Sequence, residues 1–165
     1  MSEPFPQPMQ PPLWARGGHL QTWLGWRGRR VASALGWERL TVKLSDGDTL
    51  VVQLLRGKGR RVIHLFPDPV TGPQGEVIQR IAQGFADRGD TVMLFQLRGL
   101  GDGACLATKP HHLGATQDLA AVLQTGRGLF PDDLHLAVAL GATATTLLLL
   151  LGRDRQWVQP DRALA

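Results

Sequence analysis

Short apolar runs of strand length alternate along this chain with stretches whose apolar residues recur at helical spacing. Arg39 to Leu44 and Thr49 to Leu55 read as strands, and the Ser45, Asp46, Gly47, Asp48 break between them predicts an antiparallel hairpin. Arg61 to Phe66 (RVIHLF) is a third apolar run, stopped at Pro67, Asp68, Pro69, where proline cannot continue regular pairing. Gly75 to Arg88 carries Val77, Ile78, Ile81, Phe85 and Ala86 on one helical stripe, and Gly89 follows as a C-terminal cap. Thr91 to Leu97 is the next strand, followed by an irregular, glycine-rich Arg98 to Pro110. A helical pattern over His111 to Gly126 is punctuated by Phe130 and Pro131 before an apolar strand at Leu134. Strand, helix and strand in turn after Arg61 imply parallel strands with helical crossovers, covered on both faces. The expected class is α/β: a mostly parallel sheet of about five strands, an antiparallel N-terminal hairpin and flanking helices.

Residues 1–13 are rich in proline and read as a disordered tail. Residues 14–38 contain Trp14, Gly17, Gly18, His19, Trp23, Trp26 and Gly28 without a clear period, and are expected to form an extended arm. Residues 39–165 make up the α/β domain, and 165 residues in all suffice for one domain with a real core.

Composition narrows the function classes. The apolar and charged shares, 43% and 19%, are those of a globular protein. Cys105 is the single cysteine, so neither an internal disulfide nor a cysteine-based zinc site is expected, and a reducing, cytoplasmic compartment is the natural reading. The acidic, proline-broken start lacks the order of a secretory signal. Leu147 to Leu151 falls far short of the roughly 20 apolar residues of a membrane span and reads as part of a buried helix. The net charge of +4 is scattered, with concentrations at Arg27, Arg29, Arg30 and at Arg56, Lys58, Arg60, Arg61. No stacking aromatics accompany them, so a solvated surface is expected and no nucleic-acid partner.

The chemistry concentrates at Leu134 to Gly152, LHLAVALGATATTLLLLLG. An apolar strand, a cluster of tiny residues and a leucine-rich helix in immediate succession have the layout of the nucleophile elbow of α/β-hydrolases, G-x-S-x-G, where a serine sits on a strained turn. Here the turn reads Ala139, Leu140, Gly141, Ala142, Thr143, and glycine has no side chain with which to attack an ester. Thr143, with Thr145 and Thr146 behind it, and Cys105, upstream of His111 and His112, are the alternative nucleophiles. Their ordinary roles are helix packing and a loop thiol. His111 and His112 have no carboxylate at ligand spacing, and no metal or other cofactor is expected. His64 reads as a core histidine, and Gly99, Gly101 and Gly103 lack the spacing and context of a dinucleotide loop.

Five stretches in register carry a family resemblance: His19-Leu20-Gln21-Thr22; Asp46-Gly47-Asp48; Gln96-Leu97-Arg98-Gly99; His112-Leu113-Gly114 with Ala115, Thr116 and Asp118; and Ala137 to Gly152. Together they resemble the YheT-like α/β-hydrolases, from His19 to the last residue. The resemblance implies an esterase-like fold in which a serine attacks an acyl carbonyl and a histidine held by an aspartate takes its proton. It places the nucleophile on Gly141 and the oxyanion-hole amides on Ala142 and Asp68, with Phe66-Pro67 where the family has His-Gly. The acid and base would lie beyond Ala165. It further implies a structural network of Arg98 with Asp118.

The expected protein is therefore a catalytically silent member of this group, degenerate and C-terminally truncated. The alternatives are a non-catalytic acyl-ligand-binding or interaction module and a residual carboxylic ester hydrolase. Ending the sheet at Leu134, Leu136 and Val138 would leave an unpaired edge, so self-association or a partner chain is expected there.

Overall fold

The computed structural model describes residues 17–26, 35–70, 72–152 and 158–165. The chain divides into two compact units, Met1–Ala32 and Ser33–Ala165. The proposed tail, 1–13, lies outside the described residues. What is described of the first unit is a helix, α1 (Gly18–Trp26). This corrects the expectation of an extended arm: Leu20, Trp23 and Leu24 stand at helical spacing, a signal diluted by Gly18 and Gly25.

In the second unit the chain runs β1 (Glu38–Lys43), β2 (Thr49–Leu55), β3 (Arg61–Phe66), α2 (Glu76–Ala86), β4 (Thr91–Phe95), α3 (Thr116–Leu129), β5 (Leu134–Ala139), α4 (Ala142–Gly152) and β6 (Arg162–Leu164). The strands form one sheet in the order β1-β2-β4-β3-β5-β6. β1 and β2 are an antiparallel hairpin and β2 meets β4 antiparallel, whereas β4, β3, β5 and β6 run parallel. A mixed sheet of six strands, not five, results.

The sixth strand overturns one expectation. Leu136, Ala137 and Val138 pair with Arg162, Ala163 and Leu164, so the β5 edge is covered rather than open. Two further bonds seat β6: the Asp161 carboxylate accepts from the His135 N–H at 2.7 Å, and the Asp161 N–H donates to the His135 carbonyl at 2.8 Å.

Alternation along the central strands builds two cores. Val62, Phe66, Met93 and Phe95 face α3 and α4, where Leu119, Leu123, Leu147 and Leu150 pack. Ile63, Leu65, Val92 and Leu94 face α2 through Ile78 and Ala82. The leucine run of α4 is one-sided: Leu147 and Leu150 are buried, but Leu148 and Leu149 are exposed.

The α3/α4 core also holds a polar pair. His135 Nε2 lies 2.9 Å from the Phe130 carbonyl and must donate to it, so His135 Nδ1 accepts from His64 Nε2 at 2.8 Å. His64 Nδ1 is then an unprotonated nitrogen with no partner among the described residues. Burial, reinforced by His135 and Arg127, pushes the His64 pKa down to about 3 from 6.5. An unfolded chain takes up this proton below 6.5 while the folded one does not, so stability must fall as pH drops from 6.5 toward 3. The limiting slope is about 1.4 kcal/mol per pH unit. Urea unfolding from pH 7 to 4 should show this decline, and His64→Leu should flatten its part above pH 4.

Gly126 on α3 is what lets the helix approach this pair. A Cβ there would strike the His64 ring and crowd the Met93 sulfur. Gly126→Ala is therefore expected to lower stability by about 1–3 kcal/mol by overpacking, although the same change in an open helix would gain up to about 1 kcal/mol. Chemical denaturation of the variant reads the sign.

Candidate active-site elbow

β3 and β5 are neighbours whose onward connections lead to opposite sides of the sheet, to β4 through α2 and to β6 through α4. Their carboxyl ends therefore flank the crevice in which open α/β sheets bind ligands. The loop after β3 supplies Pro67 and Asp68; the turn after β5 supplies Leu140, Gly141 and Ala142.

The turn keeps the geometry of an elbow. Leu140 N–H still donates to the Phe66 carbonyl at 3.0 Å, Gly141 takes a left-handed φ of +57°, and Ala144 N–H closes the first turn of α4 on the Gly141 carbonyl at 3.1 Å. Gly141 is exposed at the tip, the place of a nucleophile.

That place is taken by another residue. A Cβ on Gly141 would fall on the Asp68 carboxylate. Asp68 Oδ2 accepts from the Ala142 N–H at 3.1 Å, and its Oδ1 accepts from the Val70 N–H at 2.8 Å. The amide that would steady a developing oxyanion is thus engaged by an anion of the protein itself, which the N-terminus of α4 favours. At an effective dielectric of 20, two like charges about 4 Å apart repel by about 4 kcal/mol. That is as much as the roughly 2.7–4 kcal/mol one oxyanion donor contributes to catalysis. A carboxylate here opposes acyl transfer as strongly as the amide could help it.

The other candidates lie apart from this tip. Thr143 is fully buried and its hydroxyl donates to the Pro67 carbonyl at 2.7 Å, pinning the loop that carries Asp68. Thr146 is likewise buried, donating to the Leu113 carbonyl at 2.8 Å. Cys105 is exposed in the loop after β4, and among the described residues no hydrogen bond ties it to His111 or His112. Both histidines precede α3 instead of starting it, and His112 Nδ1 accepts from the Gly114 N–H at 3.1 Å.

Arg98, in the loop just after β4, is the centre of a buried ion cluster. Its Nε donates to Asp118 on α3 at 3.0 Å, and its Nη1 donates to Asp46 and Asp48 of the hairpin turn, each at 2.7 Å. Asp48 also accepts from the Thr108 N–H and hydroxyl, both at 2.9 Å, and from the Lys109 N–H at 3.2 Å. Led by the Thr108 amide, these bonds hold the Asp48 carboxyl far below the usual range, and Arg98 lowers that of Asp46. Sequence reasoning singled out the Asp46-Gly47-Asp48 turn without assigning it to this cluster. It also missed His135, a lone polar residue in an apolar strand like His64. On the outer surface the basic group of the β2–β3 turn is largely answered by acids, Arg56 by Glu38, Arg60 by Asp133 and Arg61 by Asp90. Among the described residues no helix is long and apolar enough to cross a membrane.

No protein-family model matches the sequence, and no curated protein sequence does. Solved structures do match its fold. An α/β serine hydrolase homologue from Coxiella burnetii aligns with a TM-score of 0.57 at 20% identity, over 73% of this chain and 59% of that one. An esterase of Pyrococcus furiosus aligns with a TM-score of 0.65 at 13% identity, over 78% and 53%. A lidless α/β serine hydrolase of Xanthomonas campestris aligns with a TM-score of 0.58 at 19% identity, over 77% and 68%. The chain thus has a partial α/β-hydrolase fold, and spans less than two thirds of the length of the first two neighbours.

Proposed function

We propose that this chain is a YheT-like α/β-hydrolase-fold protein that does not hydrolyse esters, its elbow having become a structural joint. One observation carries the reading: the Asp68 carboxylate stands where the nucleophile's side chain would begin and takes the Ala142 amide. Gly141 supports it by retaining the strained backbone of the elbow without a reactive group. Thr143 supports it too, because its hydroxyl holds the Pro67 carbonyl inside the fold. The single exposed thiol, Cys105, suits a reducing cytoplasm.

Purified protein should hydrolyse short and medium p-nitrophenyl esters no faster than a denatured control, and should not be labelled by a fluorophosphonate. Turnover that survives purification and disappears in Cys105→Ala would replace this reading with that of a thiol esterase. Fluorophosphonate labelling that disappears in Thr143→Val would move the nucleophile to the threonine.

A further inference from the structure

The helical layer formed by α3 and α4 turns a face to solvent that carries no free charge among the described residues. α4 has neither an acidic nor a basic side chain along its 11 residues, and its exposed stripe is Thr145, Leu148, Leu149 and Gly152. Leu148 and Leu149 are 58% and 44% exposed, side by side at the middle of the helix. Beside it, α3 exposes Gln117, Gln124 and Gly128. The two charged residues of α3 are both engaged: Asp118 is buried against Arg98, and Arg127 pairs with Asp161. The other layer differs, since α2 exposes Arg80, paired with Glu76, and Asp87 and Arg88 follow it.

Depletion of charge at the centre with polar groups at the rim distinguishes a contact surface from the rest of a protein's exterior. The rim of this face holds its charges as pairs, Lys109 with Asp46 beside the start of α3 and Arg127 with Asp161 near its end. The helices are 14 and 11 residues long. At about 1.5 Å per residue and an axis separation of about 8–10 Å, they cover a face roughly 20 Å on each side. Two such faces bury on the order of 1,000 Å² together, the lower bound for a specific, reversible interface.

Charge identifies the occupant. The chain carries a net charge of +4, so two copies repel wherever their basic surfaces meet. Across the α3/α4 face that repulsion is missing. A partner of opposite charge finds nothing on the same face to steer it. A patch that meets its own copy about a two-fold axis also closes at two chains.

We propose that a second copy of this chain docks on the α3/α4 face, in a weak two-fold dimer centred on Leu148 and Leu149. This is not the pairing expected at the β5 edge, which β6 covers, and it rests on nothing assumed about the elbow.

The test is sedimentation equilibrium of the full chain from about 1 to about 500 μM, at physiological and at about 1 M salt. The expected result is a monomer–dimer equilibrium with a micromolar Kd that salt leaves unchanged or tightens. Leu148→Lys should weaken it about tenfold or more, because each copy then presents an ammonium to the other. Val77→Lys, which adds the same charge at a 61% exposed position of α2, should not. A monomer at every concentration, growth past two copies, or weakening by salt would each overturn the proposal. So would an unchanged Kd in Leu148→Lys, or an equal loss in the two lysine variants. Circular dichroism checks both folds; if Leu148→Lys does not fold, Thr145→Lys on the same stripe decides in its place.

Discussion

Arg98→Met is expected to be the most destabilising single substitution of a charged residue, by about 3–5 kcal/mol. The reason is geometric. Arg98 is 6% exposed and is the cation shared by Asp46, Asp48 and Asp118, of which Asp48 and Asp118 are 4% and 1% exposed. Methionine fills much of the arginine's volume but leaves carboxylates facing one another in a medium that solvates them poorly. Loss of a buried cation costs more than the pair contributed, since its partners keep their desolvation penalty. The cluster also ties the β1–β2 turn to the loop after β4 and to α3, so its loss would loosen three segments at once.

The pH dependence distinguishes this account from a mere packing defect. With Arg98 present, Asp46 and Asp48 titrate below 3.8, so the wild-type fold loses stability as pH falls through that region. Without the arginine the carboxylates lose the cation they share and should titrate higher than in the wild type, so acidification should narrow the gap between variant and wild type. Arg98→Lys should lie between the two, because an ammonium keeps the charge but not the planar fork that meets Asp118 through two nitrogens. Urea unfolding of the three proteins at pH 7, pH 5 and pH 3 measures all of this.

The second large effect is expected from Gly141→Ser, the substitution that would restore a hydrolase-like nucleophile. It should not create an esterase and should destabilise the protein by about 2–4 kcal/mol. A φ of +57° in a residue with a Cβ costs about 1–2 kcal/mol. The new Cβ would also fall on the Asp68 carboxylate, which must leave the Ala142 amide to make room. Displacement of a charged cap forfeits a bond worth about 1–2 kcal/mol. In α/β-hydrolases the same strained strand-to-helix turn carries the serine with its hydroxyl exposed.

The parts of this molecule that were legible in its sequence are those set by local rules. β2 and β3 have the limits read from Thr49 to Leu55 and Arg61 to Phe66, since apolar runs bounded by Gly, Asp and Pro leave little freedom. The Asp-Gly turn gave the hairpin, and the succession of strand, tiny residues and leucine helix gave β5, the elbow and α4. β6 was not legible, because Arg162, Ala163 and Leu164 are too few to show a period; pairing with β5 and the Asp161 bonds to His135 make the strand. α1 was hidden by glycines of low helix propensity, and the start of α3 was read too early because the break at Gly114, two residues before the helix, was passed over.

At the candidate site the absence of a nucleophilic side chain at the tip of the turn was plain from Gly141 alone. What stands in its place was not. Asp68 and Ala142 are 74 positions apart, and no periodicity or motif predicts that a carboxylate between two prolines will reach the amide of a distant helix. The sheet brings them together by placing β3 beside β5 with Leu65 opposite Val138 and Phe66 opposite Ala139, so both strands end at the same level. The same register lets Thr143 reach the Pro67 carbonyl. A joint assembled from two loops is a property of the topology.

The central claim is that Asp68 occupies the space of the lost nucleophile, and a four-cornered stability cycle tests it most directly. Wild type, Gly141→Ser, Asp68→Gly and the double variant are unfolded in urea under one condition. If the carboxylate and the serine compete for one place, the serine will cost clearly less once Asp68 is glycine, and the two changes will couple favourably by about 1 kcal/mol or more. Additive effects, agreeing within about 0.5 kcal/mol, would mean that Asp68 does not fill the elbow, and the account of how this site was silenced would be wrong.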